Sequence, residues 1–240
     1  MLEASGVLFV QGTAKDDRVA LFQNAAAATI SAKVNGVTQS FAASAIAQVV
    51  IDTKRGNDLV EILSPIGGVI DRPVTVWTHA GNDTIVGGDG PERLNAGDDD
   101  DIVAGGGGRD TIYGGPGPGA DFIRGGGGSD VINGEDGTDT IRGDTGNDHV
   151  YGGANADNLR GSAGDDVIHG GGGNDYLNGD EGDDQLFGEN GIDAVDGGFG
   201  SDTLRGGAGK DVIYIDSARE QDDIDAAEEL AGDIVDLSKH

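Results

Sequence analysis

Residues 170–178 read Gly170-Gly171-Gly172-Gly173-Asn174-Asp175-Tyr176-Leu177-Asn178, and this nine-residue phrase recurs along most of the chain. Its acid marks the period. Acidic residues stand at Asp83, Glu92, Asp101, Asp110, Asp121, Asp130, Asp139, Asp148, Asp157, Asp166, Asp175, Asp184, Asp193, Asp202 and Asp211. Of the 14 intervals, 13 are nine residues and one, Asp110 to Asp121, is eleven. Two residues after every acid comes an aliphatic side chain, from Ile85 and Leu94 through to Leu204 and Ile213. Two residues before it comes glycine, except at Asp99 and Asn155, and further glycines sit four and five before it. The unit is G-G-x-G-x-D-x-U-x, with U aliphatic. A fixed short period of this kind describes a stacked array rather than a globular core.

The last three residues, x-U-x, make a short strand with one side chain inward and two outward, because side chains alternate along a strand. The six residues before it turn the chain, and glycine suits that task because positive φ costs it nothing. Two units then form an 18-residue coil with strands on opposite sides. Stacked coils build two parallel sheets closed over a thin aliphatic seam. The expected fold is all-β: a parallel β-roll or β-helix solenoid over residues 76–216, a β-rich N-terminal capping segment over 1–75, and a short C-terminal cap over 217–240.

The flanks have a different grammar. Val7–Val10, Val19–Phe22, Thr29–Val34, Val49–Ile51 and Val74–Trp77 read as strands, and Asn35-Gly36 as a tight hairpin turn. Asp17-Arg18-Val19 and Asp58-Leu59-Val60 echo the acid-two-before-aliphatic pattern. At the far end, Asp211–Ile215 reads as a strand, Ser217-Ala218-Arg219-Glu220 as a capping box opening a helix through Ala231, and Ile234–Leu237 as a last strand. This segment serves as a cap or as an export signal.

Composition narrows the chemistry. The chain has 240 residues, 46 of them glycine and none cysteine, which excludes disulfides, thiolate zinc sites and cysteine nucleophiles. Fifteen Lys and Arg against 44 Asp and Glu leave a net charge of −29, which excludes nucleic acid and anionic membranes as partners. No run approaches the ~20 apolar residues of a membrane span, and the N-terminus lacks the apolar stretch of a secretory signal. His79, His149, His169 and His240 show no H-E-x-x-H spacing, and no G-x-S-x-G is present. A non-enzymatic protein is expected. Each unit buries one aliphatic side chain, about 1.5–3 kcal/mol, against about 1 kcal/mol or more of backbone entropy for each of its nine residues. Burial alone therefore leaves the coil unfolded.

Stacking supplies the missing contribution. Each acid falls beside the one in the next coil, at the strand spacing of about 4.7–4.9 Å. One edge carries Asp83, Asp101, Asp121, Asp139, Asp157, Asp175, Asp193 and Asp211; the other carries Glu92, Asp110, Asp130, Asp148, Asp166, Asp184 and Asp202. Bare, these ladders repel themselves. Calcium takes six to eight oxygen ligands at about 2.3–2.6 Å, so an ion between neighbouring carboxylates, completed by turn carbonyls, fits the stack better than magnesium does. Seven intervals on one edge and six on the other allow up to 13 ions, whose +26 nearly cancels −29.

The repeat G-G-x-G-x-D-x-U-x, over roughly residues 76–216, resembles that of the repeats-in-toxin (RTX) family of secreted bacterial calcium-binding proteins. The resemblance implies a right-handed parallel β-roll that is disordered without calcium and is exported, often by a type I system, to the extracellular space or cell surface. It also implies the ligands: the carboxylates of Asp83, Asp101, Asp110, Asp121, Asp130, Asp139, Asp148, Asp157, Asp166, Asp175, Asp184, Asp193, Asp202 and Asp211, and turn carbonyls including Gly106, Gly108, Gly126, Gly128, Gly146, Gly164, Gly171, Gly173, Gly182 and Gly200. Outside the turns, Arg124, Arg142 and Arg160 form one outward row, and Tyr113, Tyr151, His169 and Phe187 another. The expected function is a calcium-loaded structural or adhesive roll. The alternative is a glycan-binding module detached from a larger enzyme or adhesin, with an extracellular polysaccharide or cell-surface matrix as partner.

Overall fold

The computed structural model describes residues 1–24, 26–63, 70, 72–214, 223–224 and 234–236. Within them the chain winds as a parallel β-solenoid. From Gln48–Asp52 onward each strand pairs with the next but one in sequence, so consecutive strands fall in opposite sheets, one of 11 strands and one of 13. Val131–Asp136, for example, lies parallel between Thr111–Gly115 and His149–Ala154. The aliphatic of every unit meets its counterpart in the next coil: Ile112, Ile132, Val150, Ile168, Leu186 and Leu204 on one sheet, and Ile123, Ile141, Leu159, Leu177, Val195 and Ile213 on the other. All are buried, and together they form the seam. The two extra residues between Asp110 and Asp121, near Pro116 and Pro118, are absorbed in the turn, because Ile112 still faces Ile132 and Val103 still faces Ile123.

Strands of the roll run six residues rather than the expected three, as in Phe122–Gly127 and Thr140–Thr145. The difference has a backbone cause. The first three residues of each unit go on pairing with the coil beside them, so that Gly126 faces Asp144 and Gly127 faces Thr145. Only G-x-D then turns the corner. A left-handed residue four before the acid gives the strand its bend, and it need not be glycine: Glu135, Asp144, Asp180 and Glu189 take φ of 74°, 76°, 73° and 73°. Such a conformation strains an L-residue by roughly 1–2 kcal/mol. Outward ion pairs, such as Arg124 with Asp144 and Arg160 with Asp180, hold two of them.

The N-terminal strands belong to the same two sheets. Val7–Gln11 pairs with Gln48–Asp52, and that strand with Val74–Ala80; Arg18–Asn24 lies parallel to Leu59–Leu63. Thr29–Val34 and Val37–Ala42 form an antiparallel hairpin on the 13-stranded sheet. Its turn, Asn35 at φ 47° and Gly36 at φ 87°, matches the twist of the strands because both residues are left-handed. These strands bury two apolar side chains where the roll buries one: Leu8 and Val10, Val19 and Leu21, Val49 and Ile51, Val60 and Ile62, Val74 and Val76.

One expectation at the far end needs correction. Asp223–Ile224, inside the span read as a helix, is a strand in which Ile224 faces Leu204; the rest of that span lies outside the described residues. Ile234–Asp236 is a strand as expected and pairs with Val212–Tyr214, while Leu237 lies outside the described residues. Ile224 and Val235 each stand two after an acid, Asp222 and Asp233, at the eleven-residue spacing already seen between Asp110 and Asp121. The repeat grammar therefore runs on past Asp211.

Candidate metal centre

The turn glycines bring the acids inside the coil. Every repeat aspartate from Asp83 to Asp211 is buried, and so is Glu92. Along each edge they interlock. One carboxylate oxygen, Oδ1, accepts the backbone N–H of the equivalent acid in the preceding coil. Asp110, Asp130, Asp148 and Asp166 donate to Asp130, Asp148, Asp166 and Asp184 at 2.7 Å each, and Asp184 donates to Asp202 at 2.8 Å. On the other edge the chain of bonds runs from Asp83 through Asp101, Asp121, Asp139, Asp157, Asp175 and Asp193 to Asp211, at 2.7–2.9 Å. Both series expected from the spacing are thus assembled.

The other oxygen has nothing to bind. Oδ2 of Asp130, Asp139, Asp148, Asp157, Asp166 and Asp184 is buried without a hydrogen-bond partner. A buried polar atom left in this state costs about 1–3 kcal/mol, more if charged. Burial accordingly pushes the acids up, to about 8 for Asp166, about 7 for Asp184 and about 6 for Asp148, even though a backbone N–H holds each one back. Neighbouring carboxylates add to the rise. The charged groups acting on Asp166 are Asp148, Asp184 and Asp165, all acidic.

Glycine makes the surrounding cradle. A Cβ on Gly143 would lie 2.3 Å from Oδ2 of Asp148 and 2.8 Å from the Gly161 carbonyl oxygen, so the space beside the orphaned oxygen exists only because residue 143 has no side chain. Gly146, at φ 128°, would carry a Cβ 1.4 Å from the carbonyl oxygen of Gly128. That carbonyl column continues through Gly146, Gly164 and Gly182, each oxygen facing the glycine one coil on. Gly106, Gly126 and Gly171 occupy the left-handed position four before the acid, and Gly108, Gly128, Gly173 and Gly200 the one two before it. Among the described residues no group of three His, Cys, Asp or Glu side chains converges on one point. A donor set of paired carboxylates and backbone carbonyls, all oxygen and irregular, fits a hard divalent cation of calcium's kind and no thiolate- or imidazole-loving metal.

The repeat that builds these turns is a recognised one. A family model described as the RTX calcium-binding nonapeptide repeat (4 copies) matches residues 74–91, 86–118, 116–150, 151–186 and 187–217, more than half of the chain. The chain belongs to the RTX calcium-binding nonapeptide-repeat family. None of the curated proteins searched matches it. RTX repeats form a structural calcium-binding domain, and the family implies secretion by the type I route. Among the described residues no helix is long and apolar enough to cross a membrane.

Three features of the RTX roll escaped the spacing argument. The ladder extends upstream, since Asp17 donates its N–H to Asp58 (2.7 Å) and Asp58 to Asp83 (2.6 Å). The signal was the acid two before an aliphatic, hidden by long insertions. The glycine five before each acid shapes the cradle more directly than the carbonyl donors singled out above. A second, exposed row lies just outside the first: Asn147, Asp165 and Asp183 accept the N–H of Asp165, Asp183 and Ser201 at 3.3, 3.0 and 2.9 Å. Its signal is the Asn, Asp or Ser immediately before the acid.

The outward rows are also in register. Arg124, Arg142 and Arg160 stand side by side, and Arg124 grips Asp144 with two nitrogens, at 2.9 and 3.0 Å. Tyr151, His169 and Phe187 stack face to face with ring centroids 5.1 and 4.8 Å apart. Arg205 covers Phe187, and Arg93 covers Tyr113. His169 also pairs with Glu189, and His79 with Asp52; His240 lies outside the described residues.

Proposed function

We propose that this RTX chain is a calcium-driven structural element of the extracellular space or cell surface: the roll assembles when calcium is bound between stacked turns and serves as a rigid, non-enzymatic spacer or adhesive module. The observation that carries the reading is the column of buried Oδ2 atoms without a donor, set in cradles of glycine and carbonyl oxygen. The aspartates at those turns and the carbonyls of their glycines would hold the ions. Calcium would supply the positive charge and the coordination that no side chain provides at these oxygens. The glycan-binding alternative is less favoured, because the faces of Tyr151, His169 and Phe187 cover one another and expose mainly their edges.

Circular dichroism tests the reading. In chelator the chain should show little roll signal; calcium should restore it cooperatively, and magnesium much less well. Equal β content in all three conditions would refute calcium-driven folding. Asp148→Ala should lower the ion count, measured by native mass spectrometry, by the two ions its carboxylate would share with Asp130 and Asp166.

A further inference from the structure

The space beside each roll carboxylate depends on a glycine five residues earlier, or seven at Asp121, where Gly114 takes the place, and three coils lack that glycine. Thr53, Thr78 and Ala96 stand five before Asp58, Asp83 and Asp101, and all three are fully buried. Each puts a buried side chain at the position that glycine leaves open in the roll. The Thr78 hydroxyl donates to the Ala96 carbonyl (2.7 Å), a member of the carbonyl column whose later members, such as those of Gly134 and Gly152, flank the cradles of Asp121 and Asp139. The Thr53 and Thr78 hydroxyls hold the Asp58 and Asp83 carboxyls back from the rise that burial causes, although the Thr53 hydroxyl and the second oxygens of Asp58, Asp83 and Asp101 close no hydrogen bond.

At the top of the same column, protein groups satisfy the acid altogether. Asp17 Oδ2 accepts the Thr13 N–H at 2.5 Å and the Thr13 hydroxyl at 3.2 Å, and Oδ1 accepts the Asn35 amide. On the opposite edge, Oε2 of Glu92 takes the Gly88 N–H at 3.1 Å. One ladder of carboxylates therefore changes character along its length. Asp17 at its head is satisfied by Thr13 and Asn35, the next three acids have Thr53, Thr78 and Ala96 at the cradle position, and its lower members have glycine. The apolar core changes over the same stretch, from two buried side chains per strand to one.

We infer that Thr53, Thr78 and Ala96 set the upstream limit of the cation array. The described residues between 7 and 98 fold without calcium, and the ions begin at Asp110 on one edge and Asp121 on the other. The six aspartates from Asp110 to Asp202 leave five intervals, and the six from Asp121 to Asp211 leave five more, so ten ions bind rather than thirteen. The upstream block is then a preformed template, and the first calcium-dependent coil adds to its exposed strand ends. This inference rests on the calcium reading above but fails separately from it.

Hydrogen exchange on the full chain separates the two. In chelator, peptides from 7–63 and 74–98 should exchange about 100-fold or more slower than unstructured chain, while peptides from 105–214 exchange freely; calcium should then protect 105–214. Fast exchange of the upstream peptides in chelator would overturn the inference. Unchanged protection of 105–214 on adding calcium would overturn the calcium reading beneath it. Native mass spectrometry with calcium gives a second measure. Ten or fewer ions agree with the boundary, and eleven or more contradict it. Ala96→Gly, which removes one methyl group and opens the cradle beside Asp101, should add an ion; a count that stays the same would also contradict it.

Discussion

At the scale of single residues, the roll depends on atoms that are missing. Gly143→Ala places a Cβ within 2.3 Å of the Asp148 carboxylate and 2.8 Å of the Gly161 carbonyl, and backbone cannot yield as a flexible side chain would. Overpacking of this kind costs typically 1–3 kcal/mol, so the variant should need clearly more calcium to reach half its β signal. Gly172→Ala is the control: a Cβ there meets nothing within 4 Å, and the midpoint should stay in place. The acids themselves predict a pH effect. Asp166, Asp184 and Asp148 sit at about 8, 7 and 6 in the folded chain against about 3.9 for an unfolded aspartate. Without calcium the folded state therefore holds protons that the unfolded state has released, and stability falls as pH rises from about 4 to about 8. Chelated protein should gain β signal on going from about pH 8 to about pH 5, and calcium added to the form structured at low pH should release protons. A chelated chain that loses structure on acidification over this range would contradict the burial of these carboxylates.

At the scale of the element, each half-coil owns one aliphatic anchor. Ile168→Ala removes a fully buried side chain that lies between Val150 and Leu186. The loss, about 2–5 kcal/mol, should act locally, because each coil touches only its neighbours. Hydrogen exchange in calcium should rise most in residues 149–190 and little near Leu21. The anchors and the acids were legible because both repeat every nine residues with fixed offsets. Strand length was not, since pairing of the glycine-rich half depends on a left-handed residue, a place that Glu135 and Asp180 take as well as glycine. Asp17 and Asp58 were not recognised as ladder members because insertions of very different length separate coils that are adjacent in space. The helix read through Ala231 is overturned at Asp223–Ile224 for the converse reason. Its capping box is a strong local signal, but Ile224 finds a place on the sheet beside Leu204, and tertiary pairing outweighs local propensity.

For the whole molecule, charge and coordination make separable demands. A net charge of −29 disfavours any compact state, and salt screens the exposed part of that repulsion. Salt cannot supply a ligand to Oδ2 of Asp148, which is sealed from solvent. About 0.5 M sodium chloride in chelator should thus leave the roll unfolded, whereas millimolar calcium at low ionic strength should fold it; restoration by sodium chloride alone would reduce the ladder to a screening effect. The stacked rings add a practical consequence. Tyr151, His169 and Phe187 come from three successive coils, and the lone tryptophan, Trp77, lies on the template side of the boundary. Nature has in effect placed two chromophores in two compartments. The indole's emission should hardly notice a chelator, while the near-ultraviolet ellipticity of the tyrosine stack should vanish with it, so a cuvette suffices to watch each half separately.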